Sequence, residues 1–589
     1  MCGIVGYKGN TKSLKFVIST LKKLEYRGYD SAGVASLKNG KIETFKESGN
    51  ISKLDAVVPE TFETNCSIAH TRWATHGKPN QLNAHPHSSK NQTWTIVHNG
   101  IIENYLSLKE NLINAPESET DTSVVAELLE EKQAQTFDEF IDAFASVDGS
   151  YAILALNKNK EDEMFLAKHK SPLYVSQNET GDFLIASDPI CFVDFGKSYY
   201  VFGDGEFAHI DGKEIIFKNS KKQTIKKEKI EMDSIFADAS QGEYNHIMLK
   251  EIMEQPTAVQ RLVKTVRDND VLSKFQNGWI KNFDEVKFIG CGTAYHAGLV
   301  GARYVSKIAG IPASAEVASE FIYNTPVFAG PKKLFVFVSQ SGETADTLSA
   351  VKIAKEHGST CIALTNVLYS SLARMVDYVL PVCAGPEIAV ASTKAYVCQL
   401  SALFLFASAL ADKNIKNSLD EIEEMSHSLL DFDMKKVEEI ADEIKNETSA
   451  IFIGKDIDSI TASEASLKLK EVAYINTASY PSGELKHGFL ALVEEGTPMI
   501  VFAGNKSFNQ KTFNAANEAV SRGAKEVVLA NEKIAENDRK KVFYFDIKNE
   551  LLFPILSIVP MQYLAYQVSI KKNINPDQPR NLAKSVTVE

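Results

Sequence analysis

The sequence has no Cys-x-x-Cys pair, no Gly-x-x-x-x-Gly-Lys loop and no excess of positive charge, and each absence closes off a class of chemistry. Without paired cysteines there is no thiol redox motif and no familiar zinc site. Without the Walker pattern a nucleoside triphosphate is not implied. A formal net charge of −12 repels nucleic-acid backbones and anionic lipid, so any anionic substrate needs a local site of backbone amides and a few lysines. The seven cysteines (Cys2, Cys66, Cys191, Cys291, Cys361, Cys383 and Cys398) are odd in number and irregularly spaced, which predicts reduced thiols in a cytosolic enzyme. The start of the chain lacks a charged segment followed by a long apolar one, so no secretory signal is expected. Long apolar runs are few. Ala395–Ala411 and Leu552–Ile570 approach the ~20 residues that span a bilayer. Lys394 and Gln399 at the first, and Pro554, Pro560, Gln562 and Gln567 in the second, predict buried helices.

What is present is a chain of 589 residues, well beyond the ~250–300 at which one core stops growing, so three or four domains are expected. Hydrophobic residues at 44% and charged residues at 24% fit a globular protein. The chain begins Met1-Cys2-Gly3-Ile4-Val5-Gly6. Removal of Met1 would place a thiol and an α-amine on one residue, and an amine with a pKa of about 7.7–8.0 can serve as a base near neutral pH. Alternatively Cys2 is a small buried hydrophobe at the start of a strand.

Residues 1 to about 230 read as an α+β domain, with strands at Ser67–His70 and Thr93–His98. Leu14, Val17, Ile18, Leu21 and Leu24 recur at helical spacing, as do Val124, Val125, Leu128 and Leu129. A lysine-, glutamine- and acid-rich stretch near residues 219–243 reads as a linker. Beyond it the pattern becomes strand, Gly/Ser loop, helix, the grammar of βαβ units on a parallel sheet. Ile451-Phe452-Ile453-Gly454 echoes Phe288-Ile289-Gly290, which predicts a duplicated doubly wound domain.

Within this half, Leu334–Val338 feeds Ser339-Gln340-Ser341-Gly342-Glu343-Thr344 into a helix, and the orphan amides of that turn with three hydroxyls predict a phosphate site. An ordinary serine N-cap is the plainer reading. Glu464, Lys468 and Glu471 share one face of a helix over 461–475, which by itself reads as an exposed ion ladder. Glu484-Leu485-Lys486-His487-Gly488 adds a histidine able to move protons near neutral pH.

Several motifs together carry a resemblance. Cys2-Gly3-Ile4-Val5-Gly6, Tyr26-Arg27-Gly28-Tyr29-Asp30-Ser31-Ala32-Gly33, His70-Thr71-Arg72-Trp73-Ala74-Thr75-His76-Gly77, Ala84-His85-Pro86-His87, His98-Asn99-Gly100 and Glu119-Thr120-Asp121-Thr122 resemble the glutaminase domain of N-terminal-nucleophile amidotransferases. Ser339–Thr344, Val390-Ala391-Ser392-Thr393-Lys394-Ala395, Leu467–Glu471, Glu484–Gly488 and the tail Asp577–Glu589 resemble paired sugar isomerase (SIS) domains. In this order, and over nearly the whole chain, they resemble the glutamine:fructose-6-phosphate aminotransferase family.

The resemblance implies an αββα glutaminase domain over 1–225, a linker over 226–245, and two α/β doubly wound parallel-sheet SIS domains over 246–430 and 431–589. It implies transfer of the amide nitrogen of L-glutamine to D-fructose 6-phosphate with isomerisation, giving D-glucosamine 6-phosphate and L-glutamate. Cys2 would attack the amide, with Asn99 and the Gly100 amide as oxyanion hole, and Arg72, Thr75, His76 and Asp121 would hold the glutamine. Thr293, Ser339, Gln340, Ser341, Thr344, Val390 and Lys468 would hold the sugar phosphate. Glu471 would move the proton between C1 and C2, His487 open the ring and Lys584 form a Schiff base. Ala294 stands where the family usually carries serine, which puts one hydroxyl contact to phosphate in doubt and leaves the amide. Trp73 would gate an ammonia channel, although core packing explains a tryptophan equally well. His70, His76, His85, His87 and His98 fit no metal-ligand spacing, so neither metal nor cofactor is expected. A cytoplasmic homodimer that binds neither nucleic acid nor membrane is expected. Two other readings remain open. One is a non-catalytic sugar-phosphate sensor, against which Glu471, His487 and Lys584 together argue; the other is an amidotransferase with another acceptor, against which the paired SIS domains argue.

Overall fold

The computed structural model describes residues 2–73, 77–232, 242–534 and 541–586, with the backbone alone for 325–328. The chain divides into two compact units, Met1–Ala239 with Ala583–Glu589, and Ser240–Leu582.

The first unit is built on two antiparallel sheets. One has eight strands, with Gly3–Ser13 between Phe183–Ala186 and Glu63–Arg72, and Ser31–Lys38 next beyond. The other has seven, including Trp94–Ile102 paired with Gly149–Asn157. Ile4, Ala35 and Ile68 of one sheet meet Val97, Leu154 and Leu166 of the other in a dry core. The outer face of the second sheet buries Trp94, Ile96 and Phe165 against Val125 and Leu129 of helix Asp121–Glu131 and Phe140 of helix Phe137–Ala143. Helix Leu14–Lys22 is capped by Ser13, whose hydroxyl accepts from the Lys15 amide, and its buried face (Leu14, Val17, Ile18, Leu21) is the one the sequence spacing predicts. The result is the αββα sandwich, with the expected strand Ser67–His70 extended at both ends to Glu63–Arg72 and Thr93–His98 shifted to Trp94–Ile102.

The second unit holds two parallel five-stranded sheets. In chain order their strands are Glu285–Gly290, Ala313–Val317, Lys333–Ser339, Thr360–Thr365 and Tyr378–Pro381, and then Ser449–Gly454, Asn476–Pro481, Pro498–Ala503, Lys525–Ala530 and Val542–Tyr544. In both sheets the spatial order is 2-1-3-4-5, so the Phe-Ile-Gly echo marks a true structural repeat. The reversal of strand order between strands 1 and 3 leaves a crevice at their carboxyl ends, where ligands of open α/β sheets bind.

The two apolar runs form helices Lys394–Leu410, buried along its whole length, and Phe553–Lys571. By length and composition the stretch Glu550–Lys571 could cross a membrane, but 89% of its apolar window is covered inside the unit. The linker expected over 226–245 is partly described: Ile230–Glu231 adds a short strand beside Ser198–Val201, and residues 233–241 lie outside the described residues.

Candidate active sites

In the first unit Cys2 stands at the head of the strand Gly3–Ser13, hydrogen-bonded on both flanks: the Gly3 amide donates to Thr71 Oγ1 at 3.1 Å and the Ile4 amide to Ser187 Oγ at 3.1 Å. The Trp73 amide donates to Cys2 Sγ at 3.3 Å. Burial pushes the thiol above its ordinary range, while the Trp73 amide and the Arg72 guanidinium pull the other way. Asn99 Nδ2 donates to the Cys2 carbonyl at 2.8 Å, which brings the carboxamide to the nucleophile. Gly100 follows with φ +132°, and a Cβ there would sit 1.9 Å from the Ser150 carbonyl, so only glycine fits beside strand Gly149–Asn157.

Asp121 opens helix Asp121–Glu131, where its Oδ2 accepts from the Ile102 amide at 2.8 Å and its Oδ1 from the Thr122 amide at 2.9 Å. Arg72, at the end of Glu63–Arg72, is buried and donates to the Gly77 carbonyl at 3.4 Å. Thr75 and His76 lie outside the described residues. Trp73 packs edge-on against Tyr29 at 5.6 Å.

The described histidines pack on one another, and no group of three that could hold a metal ion occurs among the described residues. His70 stacks on His85 at 4.0 Å, and His70 Nε2 donates to the His98 carbonyl at 2.9 Å. The His98 amide donates to His85 Nδ1 at 3.3 Å, and His98 Nδ1 lies 2.9 Å from Thr122 Oγ1. Burial drives His70 down to about 3 and His85 and His87 far below their ordinary range, so the stack is neutral and braces the strand that carries Asn99 and the turn that carries Asp121. Histidine content advertised the cluster; spacing alone did not reveal a stack.

In the second unit the crevice of the first repeat receives Thr293 at the start of helix Thr293–Tyr304 and the loop Ser339–Thr344 after strand Lys333–Ser339. Ser339 Oγ accepts from the Gly342 amide at 3.0 Å and lies 3.1 Å from Thr344 Oγ1; Ser341 Oγ accepts from the Glu343 amide at 3.2 Å. Gly342 has φ +65°, and a Cβ there would meet Ser370 Oγ at 2.1 Å. The Asn366 amide donates to the Gln340 carbonyl at 3.1 Å, and its side chain clamps Ala384 and Gly385.

Helix Ile457–Ala473 of the second repeat packs on helix Thr293–Tyr304, and Glu464 and Lys468 are buried with Glu471 half-buried beside them, instead of forming an exposed ladder. Thr293 Oγ1 donates to Glu464 Oε1 at 3.0 Å and accepts from Lys468 Nζ at 3.0 Å. Lys468 Nζ is also 2.6 Å from Glu471 Oε2, and His296 Nδ1 is 2.7 Å from Glu464 Oε2. Burial alone would lower the lysine, but the two carboxylates outweigh it and hold the ammonium above its ordinary pKa. Burial likewise opposes ionisation of Glu464, and Lys468, His296 and Thr293 outweigh it. His296 was missed in the sequence, although its i+3 spacing from Thr293 places the two on one helix face.

Val390 is buried, its amide donating to the Asp577 carbonyl at 3.3 Å. Its loop is fixed from both sides: Glu387 Oε1 accepts from the Thr393 and Ala395 amides at 2.9 Å, and Glu251 Oε1 accepts from the Ala389 amide at 3.2 Å. His487 ends the 3₁₀ turn Ser482–His487 and is exposed. Lys584 lies in the C-terminal segment that groups with the first unit. The structure thus brings together Cys2, Asn99, Gly100 and Asp121 in one unit, and Thr293, Lys468 and Glu471 in the other.

Comparison with known proteins follows the same division. The family described as "Glutamine amidotransferase domain" matches residues 70–194, and the "SIS domain" family matches twice, over 280–409 and 443–572. The "Glutamine--fructose-6-phosphate aminotransferase [isomerizing]" of Clostridium acetobutylicum is 40% identical over the full length of both chains, as is that of Bacillus subtilis. Among solved structures, the C-terminal domain of glucosamine-fructose-6-phosphate aminotransferase from Francisella tularensis is 33% identical with a TM-score of 0.53, covering 58% of this chain and all of its own.

Proposed function

The chain belongs to the glutamine--fructose-6-phosphate aminotransferase (isomerizing) family, and on that premise we propose that it transfers the amide nitrogen of L-glutamine to D-fructose 6-phosphate, giving D-glucosamine 6-phosphate and L-glutamate. The observation that carries this reading is the coexistence, in one chain, of a Cys2–Asn99–Asp121 pocket and a switch-point crevice faced by Thr293, Lys468 and Glu471.

With Met1 removed, the α-amine of Cys2 takes the proton of its own thiol, whose burial otherwise keeps it protonated. Sγ attacks the glutamine amide, the oxyanion is received by Asn99 Nδ2 and the Gly100 amide, and ammonia leaves a glutamyl thioester that water hydrolyses. Asp121 pairs with the α-ammonium of glutamine, and Arg72 with its α-carboxylate; Thr75 and His76 complete this set. Ser339, Gln340, Ser341, Thr344 and Thr293 take the phosphate, and Val390 lines the sugar. His487 opens the ring, Lys584 condenses with the C2 carbonyl of the open-chain ketose with loss of water, ammonia displaces the lysine amine from C2, and Glu471 moves the proton from C1 to C2 beside the Lys468 cation. Water exclusion keeps the ammonia unprotonated, with Trp73 as its gate. The assembly is a cytoplasmic homodimer in which His487 serves the partner's site, acting on neither nucleic acid nor membrane. The working domains are 1–225, the linker 226–245, 246–430 and 431–589.

Incubating the full chain with fructose 6-phosphate and amide-labelled glutamine tests this directly. Labelled glucosamine 6-phosphate is expected; conversion to glucose 6-phosphate alone, or no product, would overturn the reading. Intact mass tests the nucleophile, since a species that retains Met1 should not hydrolyse glutamine. Trp73→Ala should uncouple glutamine hydrolysis from amino-sugar formation.

A further inference from the structure

The two repeats correspond residue for residue at the crevice. Gly290 and Gly454 end the first strands, and each is pressed so closely on the following helix that a Cβ would meet backbone: 3.0 Å from Ala294 C in one repeat and 2.4 Å from Asp458 C in the other. The residues before the helices share one unusual conformation, φ 53° and ψ −126° at Gly292, φ 57° and ψ −122° at Asp456. Third strands pair in the same register, Phe288 with Val336 and Phe452 with Ile500. Ala294 therefore corresponds to Asp458, and the amides of Gln340 and Ser341 to those of Gly504 and Asn505.

In the second repeat those amides are already occupied. Asp458 Oδ2 accepts from the Gly504 amide at 2.8 Å and the Asn505 amide at 3.3 Å, while its Oδ1 has no hydrogen-bond partner among the described residues. The side chain is 2% exposed. Two other acceptors of the chain close the rest of the turn: Asn505 Oδ1 takes the Ser507 amide at 3.0 Å and Glu550 Oε1 the Lys506 amide at 3.1 Å. The matching helix of the first repeat, Ala345–Glu356, has no side-chain cap. Gly504 also lets Phe553 lie over the turn, since a Cβ there would meet Phe553 Cδ1 at 2.1 Å.

We propose that the second repeat contains a second oxyanion cradle, built like the substrate-phosphate cradle of the first and permanently filled by the carboxyl group of Asp458. The residue at position 294 or 458 then decides whether the chain's own carboxyl group fills a cradle, and the chain has one sugar-phosphate site for two repeats. Emptied of its carboxylate, and roofed by Phe553, the second cradle takes a small carboxylate such as formate.

Asp458→Ala, which copies Ala294, is the test. Formate should raise the melting temperature of this variant by several degrees more than sodium chloride at equal ionic strength, and leave wild type unmoved. If the variant accumulates unfolded, the yield refolded with formate is read instead. No formate-specific gain in either readout overturns the proposal. The reciprocal variant, Ala294→Asp, should weaken fructose 6-phosphate binding by at least about 100-fold in calorimetry without glutamine, because a like charge then sits in the cradle. Undiminished binding in a folded Ala294→Asp chain refutes the equivalence. This substrate arm rests on the phosphate assignment proposed above; the formate arm does not, so the two can fail separately.

Discussion

The two SIS repeats share strand order, register and even the strained turn ahead of the first helix, yet they have divided one crevice's chemistry between them. The first repeat keeps a phosphate turn with no counterpart of the Asp458 carboxyl in it, ahead of helix Ala345–Glu356, and contributes Thr293 and His296. The second closes its own turn with Asp458 and sends Glu464 and Lys468 across to Thr293 of the first, with Glu471 paired to Lys468. Duplication thus supplies two copies of a cradle, and a few side chains on the paired helices decide which copy binds and which copy reacts. At the positions of Glu464, Lys468 and Glu471 the first repeat carries Val300, Tyr304 and Lys307, none of which can act as a carboxylate base.

The largest expected effect separates Glu471 from Lys307. Glu471→Gln removes the group placed to move the C1–C2 proton and should lower amino-sugar formation by about 10²–10⁴-fold with little change in KM. Lys307→Gln loses a partly exposed ion pair with Asp456, at 2.6 Å, and should leave kcat unchanged. Equal losses in the two variants would mean that the chemistry is not confined to one repeat.

Next in size is the pair Lys468 and Tyr304. Lys468→Met leaves the buried Glu464 carboxylate without its main counterion and should destabilise the second unit by roughly 3–5 kcal/mol. Tyr304→Phe removes one hydrogen bond, from Oη to the Leu551 carbonyl at 2.8 Å, and should cost about 1 kcal/mol. Urea denaturation of both variants measures the gap.

The sequence exposes the parts of this arrangement that are local. The Ser-Gln-Ser-Gly turn, the Phe-Ile-Gly echo and the glycine-bounded strands all lie within short windows whose backbone demands can be read directly. The Glu464/Lys468/Glu471 face was legible as a face, but its periodicity does not say what covers it. The covering helix, Thr293–Tyr304, lies more than 150 residues earlier, so an ion ladder and a buried acid–base cluster look alike. Asp458 gave no signal, because a helix-start aspartate usually caps its own turn, whereas this one reaches the next loop. In the first unit the order of Cys2, Arg72, Asn99 and Asp121 was readable, while the neutral histidine stack that holds them depends on long-range strand pairing.

Asp458 also gives the second repeat a pH dependence that the first lacks at Ala294. Burial pushes its carboxyl up to about 7, with Asp456 and Glu550 adding to the rise and the Gly504 and Asn505 amides opposing it. Between the ordinary carboxyl range and pH 7 the folded chain holds a proton that the unfolded chain has released. Stability of this unit therefore falls as pH rises through that window, by about 1.4 kcal/mol per pH unit at most and a few kcal/mol in all. Asp458→Asn removes the titration. Relative to wild type its denaturation midpoint should improve between pH 5 and pH 8, and a constant difference would sink the assignment.

The smallest effect probes the shared turn itself. Gly292 adopts φ 53° and ψ −126°, a mirror-β conformation that glycine takes freely and L-residues resist. A Cβ at Gly292 meets nothing within 4 Å, so Gly292→Ala isolates the backbone penalty, expected at about 1–3 kcal/mol. Asp456 bears that penalty in the native second repeat, held by Arg303 Nε at 3.2 Å and Lys307 Nζ at 2.6 Å. Asp456→Gly relieves the strain, but it forfeits two partly exposed ion pairs worth up to about 1 kcal/mol each and frees the unfolded chain by roughly 0.5–1 kcal/mol. These terms nearly cancel, so the variant should stay within about 1 kcal/mol of wild type. A large stabilisation from Asp456→Gly would show that the ion pairs contribute nothing to holding the turn. A large loss would make Asp456, and not the backbone, the element that locks the two paired helices together.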